Sequence, residues 1–153
     1  LCVCSENDIQ EGKDNFCTQI YEMGTKVTAR IEAIEDFLKV TGEKVIFSTY
    51  QSLHNIAEAI KLLDSSFSFD FVFCDEAHRT AGIAHKGFFT QIHHQEKIPA
   101  KKRLYATATP RILSEKSSKK LDRETYYVYD MSDTEIFGEE FYRMSFKDAI
   151  KQD

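Results

Sequence analysis

Two acids and a histidine lie close together after an apolar stretch of this sequence. Asp75, Glu76 and His78 come directly after the run from Phe71 to Cys74. A carboxylate at the end of a rigid strand can hold Mg²⁺, which prefers one or two carboxylates together with substrate phosphates. The next carboxylate can accept a proton from an attacking water, and His78 could sense the γ-phosphate. The plainer interpretation is that these polar residues simply end a strand in solvent.

Hydroxyl side chains follow a second apolar stretch. Thr107 and Thr109 come just after Leu104 and Tyr105, and Pro110 closes the segment. Ligands of parallel α/β sheets bind beyond the carboxyl ends of the strands, so polar residues at two such ends are expected to lie close together. We therefore expect the two threonine hydroxyls to hydrogen-bond to the acids of the first cluster. An ordinary turn that contains proline is the alternative.

A third polar cluster consists of Ser48, Thr49, Tyr50, Gln51 and Ser52. It offers hydroxyls, an aromatic face and an amide at the start of a predicted helix. Such groups can contact a phosphate backbone without a net positive charge. The same residues could instead serve only as a helix cap.

The three clusters together resemble motifs of superfamily-two helicases, the DEAD/DEAH-box helicases and translocases. Residues 48–53 resemble motif Ib, residues 71–78 motif II and residues 107–110 motif III, in the order and with the spacing of that family. The resemblance implies an ATP hydrolase with ATP and Mg²⁺ as cofactors and a nucleic acid as partner. It also implies that residues 48–52 bind that nucleic acid.

The resemblance assigns a role to each residue of the other two motifs. Asp75 would coordinate Mg²⁺, and Glu76 would activate the attacking water. His78 would couple the site to a second RecA-like lobe. Thr107 and Thr109 would link hydrolysis to movement.

One branch of this family is especially similar. The segments Asp75–Gly82, Leu104–Leu113 and 131–146 resemble the motor portion of type I and related single-chain restriction enzymes. This similarity implies a DNA translocase of a restriction-modification system that acts on double-stranded DNA. A fragment of an RNA or DNA-repair helicase, or a catalytically dead RecA-like interaction domain, is the alternative.

The elements that must position these residues form an alternating pattern. Apolar residues at helical spacing predict helices around residues 31–38 and 56–63, and residues 88–95 are also expected to be helical. Apolar runs predict strands at residues 1–4, 44–50, 69–74 and 103–107, of which 69–74 suits a central strand covered on both faces. Residues 126–129 are β-prone, and residues 145–148 form a capping box that opens a terminal helix. Alternating strands and helices predict an α/β fold with a mostly parallel sheet.

The departures from the helicase pattern are equally informative. The sequence contains no G-x-x-x-x-G-K-[ST], the loop that cradles nucleotide phosphates. We therefore expect a partial RecA-like helicase domain, a P-loop NTPase fold that lacks its P-loop segment. Residues 1–130 would form part of the ATP-binding lobe, and residues 131–153 a linker and helix that lead toward a missing second lobe. Such a fragment is expected to be inactive alone.

Composition narrows the class of protein. The 153 residues are 42% hydrophobic and 29% charged, which excludes disorder, and no apolar run has the length of a membrane span. A net charge of −5 argues against binding nucleic acid by bulk positive potential. Cys2, Cys4, Cys17 and Cys74 form no C-x-x-C pair, which favours reduced structural thiols and a cytoplasmic location.

A metal-binding module is the remaining rival. Glu76, His78, His85, His93 and His94 lie within one stretch. The zincin pattern H-E-x-x-H is absent from the sequence, and Glu76 and His78 would point to opposite faces of an extended chain. His93 and His94 are better explained as a surface pair at the end of a helix.

Overall fold

Short parallel strands form the centre of the computed structural model. The structure describes residues 1–4, 26–64, 66–83, 89–112 and 128–150. Strand β1 (Cys2–Val3) pairs in parallel with β2 (Val27–Thr28) on one side and with β3 (Phe47–Ser48) on the other. Strand β4 (Val72–Cys74) pairs in parallel with β6 (Arg103–Tyr105). Every predicted strand region therefore contains a strand, although each is shorter than expected, and the parallel pairing is confirmed.

Two amphipathic helices pack against strands of both parallel sheets, β2-β1-β3 and β4-β6. Helix α1 spans Ile31–Lys39 and buries Ile34 and Leu38, which lie one turn apart. Helix α2 spans Leu53–Lys61 and buries a wider stripe that includes Ile56 and Ile60. The two helices share one core with Val3 and Cys74 from the strands. Each large apolar side chain buried there contributes roughly 1.5–3 kcal/mol, so the core fixes the strands and the polar residues at their ends.

The remaining described elements are three short 3-10 helices, one antiparallel strand pair and two short α-helices. Short 3-10 helices span Tyr50–Ser52, Ala77–Thr80 and Phe89–His93, the last in place of the helix predicted at residues 88–95. Strand β5 (Gly82–Ile83) pairs in antiparallel fashion with β7 (Val128–Tyr129). Helices α3 (Thr134–Phe137) and α4 (Phe146–Ile150) follow, and the Ser145 hydroxyl accepts the Asp148 backbone N–H at 3.1 Å, as the capping pattern predicted.

One expectation about strand β4 is wrong. The sequence predicted a strand covered on both faces, but Phe73 is 56% exposed whereas Cys74 is only 2% exposed. Successive side chains of a strand point to opposite faces. Cys74 belongs to the core shared with α1 and α2, and Phe73 lies on the other, exposed face.

Two further observations concern the cysteines and the helices. Cys2, Cys4 and Cys74 form no disulfide, and Cys17 lies outside the described residues. No helix in the described ranges combines the length and the apolar character that crossing a membrane requires.

Candidate functional site

The acidic cluster lies at the carboxyl end of β4, beside the end of β6. The Ala77 backbone N–H donates to the Ala106 carbonyl and the Ala106 N–H donates to the Cys74 carbonyl, both at 2.9 Å. These bonds hold the two strand ends side by side. Asp75 and Glu76 form the turn between β4 and the 3-10 helix, and both are exposed. The structure thus brings the first two predicted clusters together.

Glu76 adopts a left-handed backbone conformation, with φ 49° and ψ 42°. Among the described residues it is the only one other than glycine with a positive φ. This conformation costs a residue with a side chain about 1–2 kcal/mol. Strain of this kind is found at functional sites, where the surrounding structure enforces it. No signal in the sequence identified it, because glutamate is not a residue that favours this region.

His78 contacts residues at the ends of both β4 and β6. Its Nδ1 lies 2.9 Å from Thr107 Oγ1 and 3.3 Å from Thr109 Oγ1. The same nitrogen is 3.3 Å from Glu76 Oε2. The sequence led us to expect hydrogen bonds from the threonines to the acids, but both hydroxyls lie against His78 instead. His78 follows the left-handed turn at Glu76, and its Nδ1 is near both the carboxylate and the threonine hydroxyls.

The third cluster is divided between solvent and the interior. Ser48, Thr49 and Gln51 are exposed, whereas Ser52 is buried. Its hydroxyl accepts a hydrogen bond from Thr49 Oγ1 at 3.1 Å. The three exposed side chains are accessible to a ligand. Binding of nucleic acid by the cluster stays a prediction.

Tyr50 connects the third cluster to the first. Its hydroxyl donates to the Asp75 carbonyl oxygen at 2.6 Å, and its ring lies 6.0 Å from that of Phe89. Burial is the main cause that raises the pKa of Tyr50, and nearby Cys74 and Asp75 raise it further. The hydroxyl is therefore protonated and acts as a donor at any physiological pH. The sequence did not reveal this contact, because it joins residues 25 positions apart.

The half-buried residue His93 is the centre of a second set of contacts. His93 Nε2 donates to the Thr80 carbonyl at 3.3 Å, and His93 Nδ1 accepts from the Tyr105 hydroxyl at 3.0 Å. Its ring stacks on Tyr129 at 4.8 Å and meets the edge of Phe137 at 4.9 Å. We call these five residues the His93 cluster. The prediction that His93 is a surface residue is wrong, because both ring nitrogens and one ring face are occupied.

Electrostatics keep His93 neutral. Burial lowers the pKa of His93 to about 4. The hydrogen bond to Thr80 opposes this shift, and the nearby side chains of His94 and Arg103 lower the pKa further. A neutral imidazole matches the observed pair of partners, one an acceptor and the other a donor. The cluster therefore joins the segment after the acids to β6, β7 and α3 without a buried charge.

The described residues offer limited means of holding a metal. None of their His, Cys, Asp and Glu side chains form a group of three or more that could bind a metal ion. His93 is occupied as described, His94 Nε2 lies 3.0 Å from the Tyr129 hydroxyl, and His85 lies outside the described residues. Mg²⁺ needs less, because one carboxylate with water and phosphate oxygens is enough. The exposed carboxylate of Asp75 at the end of a strand fits that requirement.

The family model and two solved structures that match this chain are all of restriction enzymes. The family model described as type III restriction enzyme, res subunit, matches residues 1–112. The chain is similar to a nuclease-deletion mutant of the Type ISP restriction-modification enzyme LlaGI, solved in complex with a DNA substrate mimic. The identity is 31%, the TM-score is 0.67, and the match covers 99% of this chain and 11% of that one.

A second solved structure gives the same result. The ATP-dependent Type ISP restriction-modification enzyme LlaBIII bound to DNA is 32% identical, with a TM-score of 0.67 over 99% of this chain and 10% of that one. The chain therefore spans only about a tenth of either protein. Among curated proteins, none matches the chain.

Proposed function

Because this chain belongs to the family of the type III restriction enzyme res subunit, we propose that it is the part of an ATP-driven DNA translocase that activates water and couples hydrolysis to movement. The whole enzyme would be the motor of a restriction-modification system. We use "complete protein" for the longer chain of which we propose this one is a part.

The observation that carries the proposal is the set of contacts around His78. Its Nδ1 lies within 3.3 Å of Glu76 Oε2, Thr107 Oγ1 and Thr109 Oγ1. A motor must transmit the state of the γ-phosphate to a moving element. One histidine in contact with both the proposed base and the threonines of the neighbouring strand provides such a connection.

Each acid has a distinct role in this proposal. Asp75 would hold Mg²⁺ at the end of β4, and the ion when bound would neutralise charge on the phosphate oxygens. Glu76 would accept a proton from the attacking water, for which an exposed carboxylate on a fixed backbone is suited. Its side chain is 57% exposed, so a nucleotide and water can reach it.

The rest of the nucleotide site would come from elsewhere. The sequence has no phosphate-cradling loop with its lysine. We propose that residues 1–130 form part of one RecA-like lobe and that residues 131–153 lead toward a second lobe. Phe137 packs against His93 and Tyr105, so the start of this linker would respond to the site. The 153-residue chain alone would neither bind ATP tightly nor hydrolyse it.

Double-stranded DNA is the proposed partner. Both solved relatives were determined with DNA or a DNA mimic. Ser48, Thr49 and Gln51 present exposed polar groups beside the site, and such groups can contact phosphate oxygens without specifying sequence. The formal charge of −5 makes a local contact of this kind more suitable than a broad basic surface.

The test is ATP hydrolysis by the complete protein with different nucleic acids. We expect duplex DNA to stimulate hydrolysis, and single-stranded DNA and RNA of equal length to stimulate it less. The 153-residue chain alone should show no hydrolysis under the same conditions. Stimulation by RNA alone would favour an RNA helicase, and hydrolysis that no nucleic acid stimulates would contradict the proposal.

A further inference from the structure

The peptide group between Asp75 and Glu76 is held at both ends. Its carbonyl oxygen accepts the Tyr50 hydroxyl at 2.6 Å. Its N–H donates to Asp75 Oδ1 at 2.9 Å. A peptide group is planar, so fixing its oxygen and its nitrogen fixes its orientation. The rotation of this plane in turn sets φ of Glu76.

The orientation matters because Glu76 is in the left-handed region, with φ 49°. A rotated peptide plane would let Glu76 relax to an ordinary conformation and would move its carboxylate away from His78. The net contribution of one hydrogen bond is similar in size to the conformational cost of this region for a residue with a side chain. The Tyr50 hydroxyl is therefore strong enough to decide which conformation prevails.

Tyr50 is itself held firmly, at the start of a 3-10 helix. The Ser52 backbone N–H donates to the Thr49 carbonyl at 3.1 Å, and the Thr49 and Ser52 hydroxyls are also 3.1 Å apart. The half-buried ring lies against Phe89. A rigid turn transmits a displacement instead of absorbing it. A ligand that moves the backbone at the exposed residues Ser48 and Thr49 would therefore move the Tyr50 hydroxyl too.

We propose that Tyr50 is a positioning residue that makes the orientation of Glu76 depend on DNA bound at the neighbouring exposed residues. This inference rests on the proposed function and adds to it the route by which DNA controls hydrolysis. Tyr50 acts through the Asp75 carbonyl and needs no contact with the nucleotide. Tyr50 belongs to the cluster predicted to bind nucleic acid, and its hydroxyl donates to the Asp75 carbonyl.

The test uses Tyr50→Phe, which removes the hydroxyl and keeps the ring packed against Phe89. In the complete protein we expect the kcat of duplex-stimulated ATP hydrolysis to fall roughly fivefold, the effect of one lost hydrogen bond, with KM for ATP unchanged. In the 153-residue chain, hydrogen exchange of the Glu76 and Arg79 amides should become faster by a similar factor. Tyr142→Phe is the matched control, because Tyr142 is 67% exposed and distant in sequence from both clusters.

Two negative results have different meanings. If the wild-type protein is stimulated by DNA and Tyr50→Phe is stimulated equally, the positioning role is overturned and the proposed function stands. A variant that loses only thermal stability, with normal stimulated kcat, also overturns the positioning role. If the wild-type protein shows no stimulation by DNA, the proposed function fails and this inference fails with it.

Discussion

The Nδ1 atom of His78 lies 2.9 Å from Thr107 Oγ1, a contact between residues 29 positions apart. It joins the ends of two parallel strands, β4 and β6, whose backbones are also hydrogen-bonded at this level. Because Glu76 Oε2 is 3.3 Å from the same nitrogen, the proposed base and the hydroxyl of the neighbouring strand share one partner. A displacement of the Glu76 carboxylate or of the Thr107 hydroxyl is therefore transmitted through His78 to the other group.

The first prediction concerns coupling. Thr107→Val keeps the shape of the side chain and removes the hydroxyl that contacts His78. We expect the complete protein to retain DNA-stimulated ATP hydrolysis. The distance that it moves along DNA per ATP hydrolysed should fall roughly fivefold, the factor that corresponds to the loss of one hydrogen bond. Translocation along duplex DNA and ATP consumption are measured together. Thr134→Val, at an exposed position in α3, should behave as wild type. If the distance moved per ATP is unchanged in Thr107→Val, the contact between Thr107 and His78 does not couple hydrolysis to movement.

The second prediction concerns backbone strain at Glu76. Glycine tolerates the left-handed region and alanine does not, so Glu76→Gly should make the chain more stable than Glu76→Ala by about 1 kcal/mol. Urea denaturation of the 153-residue chain measures the free energy of unfolding. Glu135→Gly and Glu135→Ala, within α3, are the control variants. There the alanine variant should be the more stable of the two, because glycine weakens a helix. Equal stability of the two Glu76 variants would mean that the turn is not strained.

The third prediction concerns pH. His93 has a pKa of about 4 in the folded chain and an ordinary value near 6.5 when unfolded, so the unfolded state binds more protons between these values. The stability contributed by neutral His93 is fully present above about pH 6.5 and is lost as the pH falls toward 4. The loss reaches at most about 3 kcal/mol.

The measurement is urea denaturation between pH 4 and 7. His93→Gln should flatten the dependence, because glutamine can donate to Thr80 and accept from Tyr105 without titrating. His54→Gln, which changes a histidine that is not a member of the His93 cluster, is the control and should show the same pH dependence of stability as the wild type. If stability depends on pH as strongly in His93→Gln as in the wild type, other titratable groups cause the dependence.

Much of the fold follows from local patterns. Helices α1 and α2 were predicted because Ile34 and Leu38, or Ile56 and Ile60, recur one turn apart. The parallel α/β class was predicted from alternating strands and helices, and the family from the three polar motifs at strand ends. Both are confirmed. The juxtaposition of residues 75–78 with residues 107–109 also followed from the rule that parallel strands end at the same edge.

The rest depends on contacts that no local pattern encodes. Strands β2 and β5 have two residues each, too few to show a period. The left-handed turn at Glu76 is imposed by neighbours, among them the Tyr50 hydroxyl. His93 and Tyr129 are 36 positions apart, and neither has a neighbour in sequence that predicts their stacking. The division of the polar cluster into exposed Thr49 and buried Ser52 likewise arises only from packing.

The most direct test of the proposed function is ATP hydrolysis by Glu76→Gln in the complete protein with duplex DNA. Glutamine keeps the shape of the side chain and cannot accept the proton of the attacking water. We expect the rate to fall about 10²- to 10⁴-fold while ATP is still bound, since Asp75 is intact. Glu58→Gln, exposed on α2, should hydrolyse ATP at the wild-type rate. Hydrolysis by Glu76→Gln at the wild-type rate would contradict the proposal that Glu76 activates the attacking water.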